Sequence, residues 1–408
     1  MSKIAVLSNA VFTNTGYGTQ SRVMLPRFMT LLGHEVANVA YYGVEGGVLT
    51  WGPGIKIYPK AYHPYGSDIL DTDAQHFVAD VAIAFLDSWV VEPTMVRVTP
   101  LAFYYPVDHE PLPRAVYNKV SQGAFRINYS LFGKRMTENA GLDTYYVPHC
   151  VDTQVYKPKP QGVARARVEA QTADDRVVQL PQDRFIVGMV AANKGNPSRK
   201  CFQQQLEAFK ALHAKHPDTL MYIHTCRGQE QSGVNLPELV EYLGLTDSVL
   251  WAHQYFYHLG LPDAYMNDVY NSFDVLTNVA MGEGFGLPIL EAQAAGTPVI
   301  TGDWTAMSEI TFAGWQIDRA DADAFWTPLA SYQFVPRVGA IVDAYEEAYK
   351  GAGNARLHSQ ARKGAIAYDA DKVVTEQWKP VLDDMLARIQ ERKEARRLLS
   401  GAPAEAVA

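Results

Sequence analysis

Short apolar segments alternate with amphipathic segments over most of the chain. The first apolar segment is Lys3–Ser8, and a polar loop containing Gly16 and Gly18 follows it. A helical pattern of apolar residues then runs to Gly33, and a second apolar segment occupies Glu35–Tyr42. A strand, a glycine loop, a helix and a strand in this order predict a βαβ unit, so the chain is expected to begin with a parallel sheet.

The same alternation continues in two series. Further strands of the first series are predicted at Val81–Leu86, Leu101–Pro106, Ala124–Ser130 and Tyr145–Pro148. Residues 43–66 are rich in Gly, Pro and Tyr and are predicted to form a long connection, with room for a hairpin. Strands of the second series, separated by helical patterns, are predicted at Phe185–Val190, Leu220–His224, Val249–Trp251, Val275–Thr277 and Pro298–Thr301. Strands that alternate with helices predict a doubly wound α/β sheet in each half.

Two domains fit a chain of 408 residues, because domains usually hold about 100–200 residues. The stretch Lys157–Gln182 has three prolines, many charges and few large apolar residues, and it is predicted to be the interdomain region. The predicted organisation is a Rossmann-like domain over residues 1–160, a second over 161–365, C-terminal crossover helices over 366–400 and a frayed tail over 401–408. Ligands of open α/β sheets bind at the carboxyl ends of the strands, so a central cleft is expected.

Composition narrows the function classes. The formal net charge is -8, which argues against broad, sequence-independent binding of nucleic acid because such binding needs clustered cations. The chain has three cysteines, none in a C-x-x-C pair, so no zinc site or disulfide framework is expected. No apolar run reaches the ~18–20 residues that span a bilayer. We therefore expect a cytoplasmic protein without a transmembrane segment.

The most informative segment is a glycine loop that follows the predicted strand Val275–Thr277. Three alternate glycines let the backbone approach a ligand closely: Gly282, Gly284 and Gly286. The loop enters a helix near Pro288, whose N-terminus offers free N–H groups and a positive dipole end. A diphosphate is the expected ligand of this loop. Glu283 in the loop and Glu291 in the helix can accept paired hydroxyls at its two ends.

The sequence from the first glutamate to the end of the following strand resembles that of a known family. Residues 283–300 read Glu-Gly-Phe-Gly-Leu-Pro-Ile-Leu-Glu-Ala-Gln-Ala-Ala-Gly-Thr-Pro-Val-Ile, which is similar to the signature of the retaining glycosyltransferases of family four, whose fold is GT-B. The resemblance implies that Glu283, Gly284, Phe285, Gly286 and Leu287 contact the donor sugar. It also implies that Glu291 binds the ribose hydroxyls. The resemblance covers nearly all of the chain. It is strong from Phe185 to Ile310 and weak from Tyr41 to Trp89.

A basic turn after the strand Phe185–Val190 supports this interpretation. Arg199 and Lys200 enter a helix and resemble the family's phosphate clamp, which stabilises the departing diphosphate. Asn193 stands where the family often has arginine, and it is a further predicted donor-binding residue. The alternative is a solvated basic turn.

Two loops of the first half complete the predicted site. Gly16 and Gly18 lack the third glycine and the acidic residue of a dinucleotide fingerprint; by resemblance, their loop faces the cleft near the diphosphate. His109 follows the strand Leu101–Pro106 and resembles the family histidine that approaches the donor sugar. In an alternative interpretation, Asp108 and Glu110 beside it bind a divalent metal. Plain turns and surface residues remain the alternative for both loops.

The resemblance implies a retaining, metal-independent glycosyltransferase. His109, Glu283, Arg199 and Lys200 are its predicted catalytic residues, and the second domain holds a nucleoside diphosphate sugar, with a UDP- or GDP-sugar expected first. No tightly bound cofactor and no metal are expected, and the first domain supplies most of the acceptor site. The acceptor stays open between a glycan, a lipid-linked sugar, a protein and a modified nucleic acid, and so does the oligomeric state. The alternatives are another GT-B enzyme, such as a nucleotide-sugar epimerase or a phosphorylase, and a non-catalytic nucleotide-sugar-binding protein.

Overall fold

The computed structural model describes residues 1–228 and 232–400. Within them the chain forms two sheets of eight strands each and a separate two-stranded hairpin. The tail predicted over residues 401–408 lies outside the described residues.

The first sheet lies in the N-terminal half, in the strand order β3-β4-β2-β1-β5-β6-β7-β8. All neighbours in it are parallel except β3 and β4, which form a hairpin within the predicted long connection. Its strands are β1 (Lys3–Asn9), β2 (Glu35–Tyr42), β3 (Leu49–Trp51), β4 (Ile55–Pro59), β5 (Val81–Phe85), β6 (Leu101–Tyr105), β7 (Phe125–Asn128) and β8 (Tyr145–Tyr146). Its helices are α1 (Gly16–Thr30), α2 (Leu70–His76), α3 (Arg114–Val120) and α4 (Leu131–Asn139).

The second sheet has the order β10-β9-β13-β12-β11-β14-β15-β16, and a hairpin of two further strands follows it. The strands are β9 (Glu169–Gln171), β10 (Val177–Gln179), β11 (Phe185–Val190), β12 (Thr219–His224), β13 (Val249–Ala252), β14 (Val275–Asn278), β15 (Val299–Gly302), β16 (Gly314–Ile317), β17 (Ala322–Trp326) and β18 (Tyr332–Pro336). The helices from here to the end of the described chain are α5 (Gln161–Arg165), α6 (Phe202–Lys215), α7 (Leu236–Leu243), α8 (Gln254–Leu259), α9 (Asp263–Asn271), α10 (Leu287–Ala294), α11 (Met307–Ile310), α12 (Val338–Lys350), α13 (Ala355–Ala365), α14 (Ala370–Lys372) and α15 (Lys379–Ser400).

The predicted α/β class is confirmed. β5, β6 and β11 are buried at every position, as expected for parallel strands covered by helices on both faces. In the first sheet the strand order reverses between β1 and β5, and in the second between β11 and β14. Ligands bind beside such switch points, at the carboxyl ends of the strands. The loops after these four strands therefore define where a ligand is expected.

The C-terminal segment returns to the first sheet, as predicted. A π-helical turn at Val373–Trp378 precedes α15, and the buried ring of Trp378 packs edge-on against Phe28 and Tyr104, at centroid distances of 5.2 and 4.8 Å. Asp371 adds an ion pair with Arg27 at 2.7 Å. No described helix has the length and apolar character needed to cross a membrane.

The stretch predicted as the interdomain region contains regular structure. The stretch Lys157–Gln182 is not only a linker, because α5, β9 and β10 lie within it and the two strands form the antiparallel edge of the second sheet. Each strand has only three residues, and of these only Ala170 is buried. Strands this short carry no readable alternation of apolar and polar residues. The domain boundary placed after residue 160 stays a prediction.

The two halves touch across the cleft between the sheets. Arg22 of α1 pairs with Asp263 of α9 at 2.8 Å. Glu309 accepts hydrogen bonds from the backbone N–H groups of Leu131 and Phe132 at the start of α4, at 2.7 and 2.9 Å. These contacts describe a closed cleft, in which loops from both sheets lie within bonding distance of each other.

Candidate functional site

The glycine loop after β14 packs directly on the first domain. A Cβ atom on Gly282 would lie 2.3 Å from the carbonyl oxygen of Asp108, and one on Gly284 would lie 2.5 Å from Cβ of Pro106. Real Cβ atoms do not approach so closely, so both positions require glycine in the closed cleft. Gly286 has a φ of +99° and precedes the first residue of α10, a conformation that favours glycine.

Two helix N-termini meet at this point. α10 begins at Leu287 directly after the loop, with Pro288 in its first turn. α1 begins at Gly16, where a Cβ atom would lie 3.7 Å from Cδ1 of Leu287. Unpaired N–H groups and the positive ends of two dipoles therefore point toward one region, which favours an anion.

Gly18 has a different position from Gly16. A Cβ atom on it would lie 2.1 Å from Oγ1 of Thr13, and its N–H donates to Oγ1 of Thr15, which caps α1. Gly18 thus shapes the turn that aims the N-terminus of α1. Its predicted contact with a donor stays a prediction.

A cluster of four charged side chains lies beside the two helix N-termini. Nη1 of Arg199 is 3.2 Å from Oε2 of Glu283 and 3.6 Å from Oδ2 of Asp108. Nζ of Lys200 contacts Oε1 of Glu283. Cys201 ends this turn with a left-handed φ of 50° before α6 begins. The cluster joins the two domains, since Asp108 belongs to the first sheet and the other three to the second.

The cluster shifts the pKa values of its members. Burial alone raises the pKa of Glu283, but Lys200 and Arg199 outweigh burial and hold it below its ordinary value. Burial lowers the pKa of Lys200 in spite of the opposing charge of Glu283. Burial also raises the pKa of Asp108, and its hydrogen bond with His109 and the charge of Arg199 more than reverse this. Both carboxylates are therefore ionised, and two cations are held in place for a further anion.

Glu291 lies in a different environment, one helical turn into α10. Its side chain is buried, and Oε2 accepts a hydrogen bond of 2.7 Å from the hydroxyl of Tyr270. Burial raises the pKa of Glu291 to about 8; Asp263 adds to the rise, while Tyr270 and Arg22 oppose it. Glu283 and Glu291 thus differ in charge state near neutral pH, because only Glu283 has paired cations.

His109 follows β6 and is held by its neighbour. Its Nδ1 lies 2.6 Å from Oδ1 of Asp108, and Nε2 of Gln333 donates to Oδ2 of Asp108 at 3.2 Å. The main chain of Glu110 forms a β-bridge with Tyr332, in the hairpin of β17 and β18. This hairpin therefore fixes the loop that carries His109.

Two predicted donor residues use their side chains elsewhere. The amide of Asn193 bonds the backbone of Gly228 and Val234. The ring of Phe285 is buried against His149, 5.1 Å between centroids. Both side chains are therefore engaged within the protein, and contact of these residues with a donor through backbone atoms stays a prediction.

Three residues of the candidate site were not predicted from the sequence. Tyr270 bonds Glu291, Gln333 bonds Asp108, and Asp87 follows β5 at the cleft edge of the first sheet. Only Asp87 carried a signal, because it is the first polar residue after a predicted apolar strand, as Asp108 is. Among residues 1–228 and 232–400, no three His, Cys, Asp or Glu side chains are grouped to hold a metal ion. Metal independence stays a prediction.

Gly284→Ala is expected to hold the cleft open. Its Cβ would overlap Pro106, and overpacking of this kind costs about 1–3 kcal/mol, which shifts the closed-to-open ratio roughly 5- to 150-fold. Small-angle scattering should show a larger radius of gyration. Gly339→Ala is the matched control, because a Cβ there meets nothing within 4 Å. Equal radii for the two variants would contradict the closed contact.

Known proteins are similar to this chain in sequence over its second half. Residues 184–331 match the family described as Glycosyl transferases group 1. The D-inositol 3-phosphate glycosyltransferase of Corynebacterium urealyticum is 33% identical over 144 residues, which are 34% of this chain and 31% of that protein. The enzyme of the same name from Salinispora tropica is 31% identical over 159 residues, 37% of this chain and 30% of that protein. The matched part is thus less than a third of either curated relative.

Solved structures are similar over nearly the whole chain. Sucrose-phosphate synthase from Thermosynechococcus elongatus superposes with a TM-score of 0.72 at 15% identity, over 95% of this chain and 100% of that one. The Anabaena protein HepE in complex with UDP and glucose gives a TM-score of 0.62 at 14% identity, over 94% and 100%. At these identities the likeness concerns the fold, which is GT-B. Residues 184–331 hold the glycine loop, both glutamates and both cations, and this part of a chain with the GT-B fold matches the group 1 glycosyltransferases.

Proposed function

We propose that the protein transfers a sugar from a nucleoside diphosphate sugar to an acceptor hydroxyl, with retention of anomeric configuration and without a metal. The observation that carries the proposal is the pairing of Arg199 and Lys200 with Glu283, beside the N-termini of α1 and α10. Such a concentration of positive charge in a cleft between two switch points suits a diphosphate.

Donor binding exchanges partners within the charged cluster. In the closed cleft described here, Arg199 and Lys200 pair with Glu283. A diphosphate brings more negative charge than one carboxylate and offers more acceptor oxygens, so it takes over part of this pairing. Glu283 is then able to accept hydroxyls of the donor sugar. Its low pKa keeps it ionised for this role.

The other parts of the donor follow from the position of the diphosphate. Glu291 lies one turn into α10, on the side of α9, where its carboxyl group can accept the ribose hydroxyls next to Tyr270. His109 lies on the opposite side, close to Glu283 through Asp108 and Arg199. Asp108 holds Nδ1 of His109, which leaves Nε2 for the donor sugar.

Transfer breaks the bond between the sugar C1 and the diphosphate oxygen and forms a bond from C1 to the acceptor oxygen. The acceptor proton goes to the departing diphosphate, on the same face of the sugar, so retention needs no carboxylate base. Arg199, Lys200 and the helix N-termini stabilise the charge that develops on the diphosphate. They supply the positive charge that a metal ion supplies in other sites.

A donor screen tests the proposal. Thermal shift with UDP-, GDP-, ADP- and TDP-sugars should single out one nucleotide, with the UDP-sugars tried first because a solved neighbour, HepE, is in complex with UDP-glucose. The same nucleoside as a monophosphate should bind at least about tenfold more weakly, because it loses contacts with the cations. Product analysis by NMR with the best donor then gives the anomeric configuration. An inverted product contradicts retention alone.

The remaining outcomes separate the alternatives. An epimerised donor in the absence of any acceptor indicates an epimerase, and free sugar phosphate indicates a phosphorylase. No binding of any nucleotide by calorimetry contradicts the proposal as a whole. The proposed place of action is the cytoplasm, supported by the buried cysteines at positions 150 and 201, which form no disulfide, since disulfides are rare in reducing compartments.

A further inference from the structure

The first-domain wall of the cleft combines carboxylates with aromatic rings. Asp87 and Trp89 follow β5, and Asp108 follows β6. These three side chains line one small pocket, together with Leu329 of the second domain. The pocket lies beside Arg199, which is 3.6 Å from Asp108. It is therefore next to the position proposed for the diphosphate, on the side of the first domain.

The size of this pocket limits what can enter it. It encloses about 20 Å³, which is the space of about one water molecule. A single hydroxyl group fits this space in the closed cleft. Two carboxylates in its wall offer several acceptor positions to a hydroxyl donor.

The charges around Asp87 favour an uncharged ligand over an anionic one. Asp87 is an exposed residue, and Tyr17 of α1 lies close enough to lower the pKa of its carboxyl group. Burial among protein atoms raises the pKa of Asp87 to about 6, with a further contribution from the charge of Asp108. The cations that oppose this rise, Arg199 and Lys194, both belong to the second domain.

Charge balance leaves this wall negative once a donor is bound. Arg199 and Lys200 neutralise Glu283 and part of Asp108 in the closed cleft. A diphosphate that takes over these cations leaves Asp87 and Asp108 with less compensating positive charge. An additional phosphate here would meet like charges at short range, which is unfavourable in a cleft of low dielectric.

Aromatic rings form the rim of the same wall. Trp89 is 45% exposed, and Tyr41 and Tyr65 pair at 5.7 Å between centroids. The charge of Asp87 contributes, after burial, to the raised pKa of Tyr41, so these rings lie near the carboxylate. Flat rings beside hydroxyl acceptors suit a sugar or a polyol, whose C–H face packs on an aromatic surface.

We propose that this wall is the acceptor subsite and that it takes an uncharged, hydroxyl-rich acceptor, with Asp87 and Asp108 accepting its hydroxyls and Trp89 packing on its ring. The proposal rests on the proposed function and goes beyond it by excluding phosphorylated acceptors. It sets this chain apart from its relatives, whose name specifies inositol 3-phosphate.

Matched pairs of acceptors test the subsite. Glucose and glucose 6-phosphate, fructose and fructose 6-phosphate, and myo-inositol and inositol 3-phosphate are each offered with the donor selected by the screen. At least one neutral member should be used about tenfold or more better, in kcat/KM, than its phosphate. Asp87→Asn keeps the shape of the side chain and removes its charge. It should reduce this ratio several-fold, a change that a merely structural role would not produce.

Asp143→Asn is the matched control, because Asp143 is exposed on the loop before β8, at the opposite edge of the sheet, and its ratio should equal that of the wild type. A phosphorylated acceptor used better than its neutral partner overturns the proposal. An unchanged ratio in Asp87→Asn overturns the role of Asp87. Transfer to none of the six compounds while the donor is still hydrolysed overturns the acceptor class. Absence of both donor binding and donor hydrolysis is a failure of the proposed function instead.

Discussion

Lys200→Ala is expected to lower kcat for sugar transfer by about 10²- to 10³-fold, the usual effect of removing one preorganised donor to a developing oxyanion. Nζ of Lys200 contacts Glu283 beside the N-termini of α1 and α10. Its side chain is 15% exposed, so its charge acts in a region of low dielectric. Steady-state kinetics with the best donor measure the change.

The effect should be larger on kcat than on KM for the donor. The charge on the diphosphate increases as the sugar departs, so Lys200 stabilises the transition state more than the bound donor. Arg199 remains in Lys200→Ala and keeps Glu283 paired at 3.2 Å, which protects the fold. Lys210→Ala removes the same group from the exposed face of α6 and should leave kcat unchanged. A Lys200→Ala variant that equals Lys210→Ala would remove Lys200 from the proposed mechanism.

The architecture could be predicted from the sequence because buried parallel strands are continuous apolar runs. β5 and β6 were predicted within one residue of their observed ends. The hairpin of β17 and β18 was not predicted, because it belongs to neither sheet and much of β17 is exposed. It acts on the site only through long-range contacts, such as Gln333 with Asp108, which no local pattern shows.

The site could be predicted where its residues are adjacent in the chain. The glycine loop and the pair Arg199 and Lys200 are local motifs, and the structure brings them together. The contact of Lys200 with Glu283, 83 positions further along the chain, could not be predicted from the sequence, because it depends on how the two loops pack on each other. The different environments of Glu283 and Glu291 also required the fold, since Tyr270 and Asp263 lie on a separate helix.

Donor affinity is expected to increase about tenfold from pH 7 to pH 9, because Glu291 ionises in this range. With a pKa of about 8, roughly one in ten Glu291 side chains is ionised at pH 7 and nearly all are at pH 9. Only the ionised carboxylate can accept both ribose hydroxyls together with the hydroxyl of Tyr270. Donor binding at pH 7 should therefore release close to one proton.

Calorimetry with the preferred nucleoside diphosphate, in two buffers of different ionisation enthalpy, measures both quantities. At pH 9 the Glu291→Gln variant should bind the nucleoside diphosphate at least about tenfold more weakly than the wild type. Its affinity should not depend on pH between 7 and 9, where the phosphates no longer titrate. Tyr270→Phe removes a hydrogen bond that lowers the pKa of Glu291, so the midpoint of its profile should move to higher pH. A flat wild-type profile, or an unchanged midpoint in Tyr270→Phe, would mean that the ribose is held by other groups. The direction of the shift is the informative quantity, since general loss of the fold in either variant would weaken binding without moving a midpoint upward.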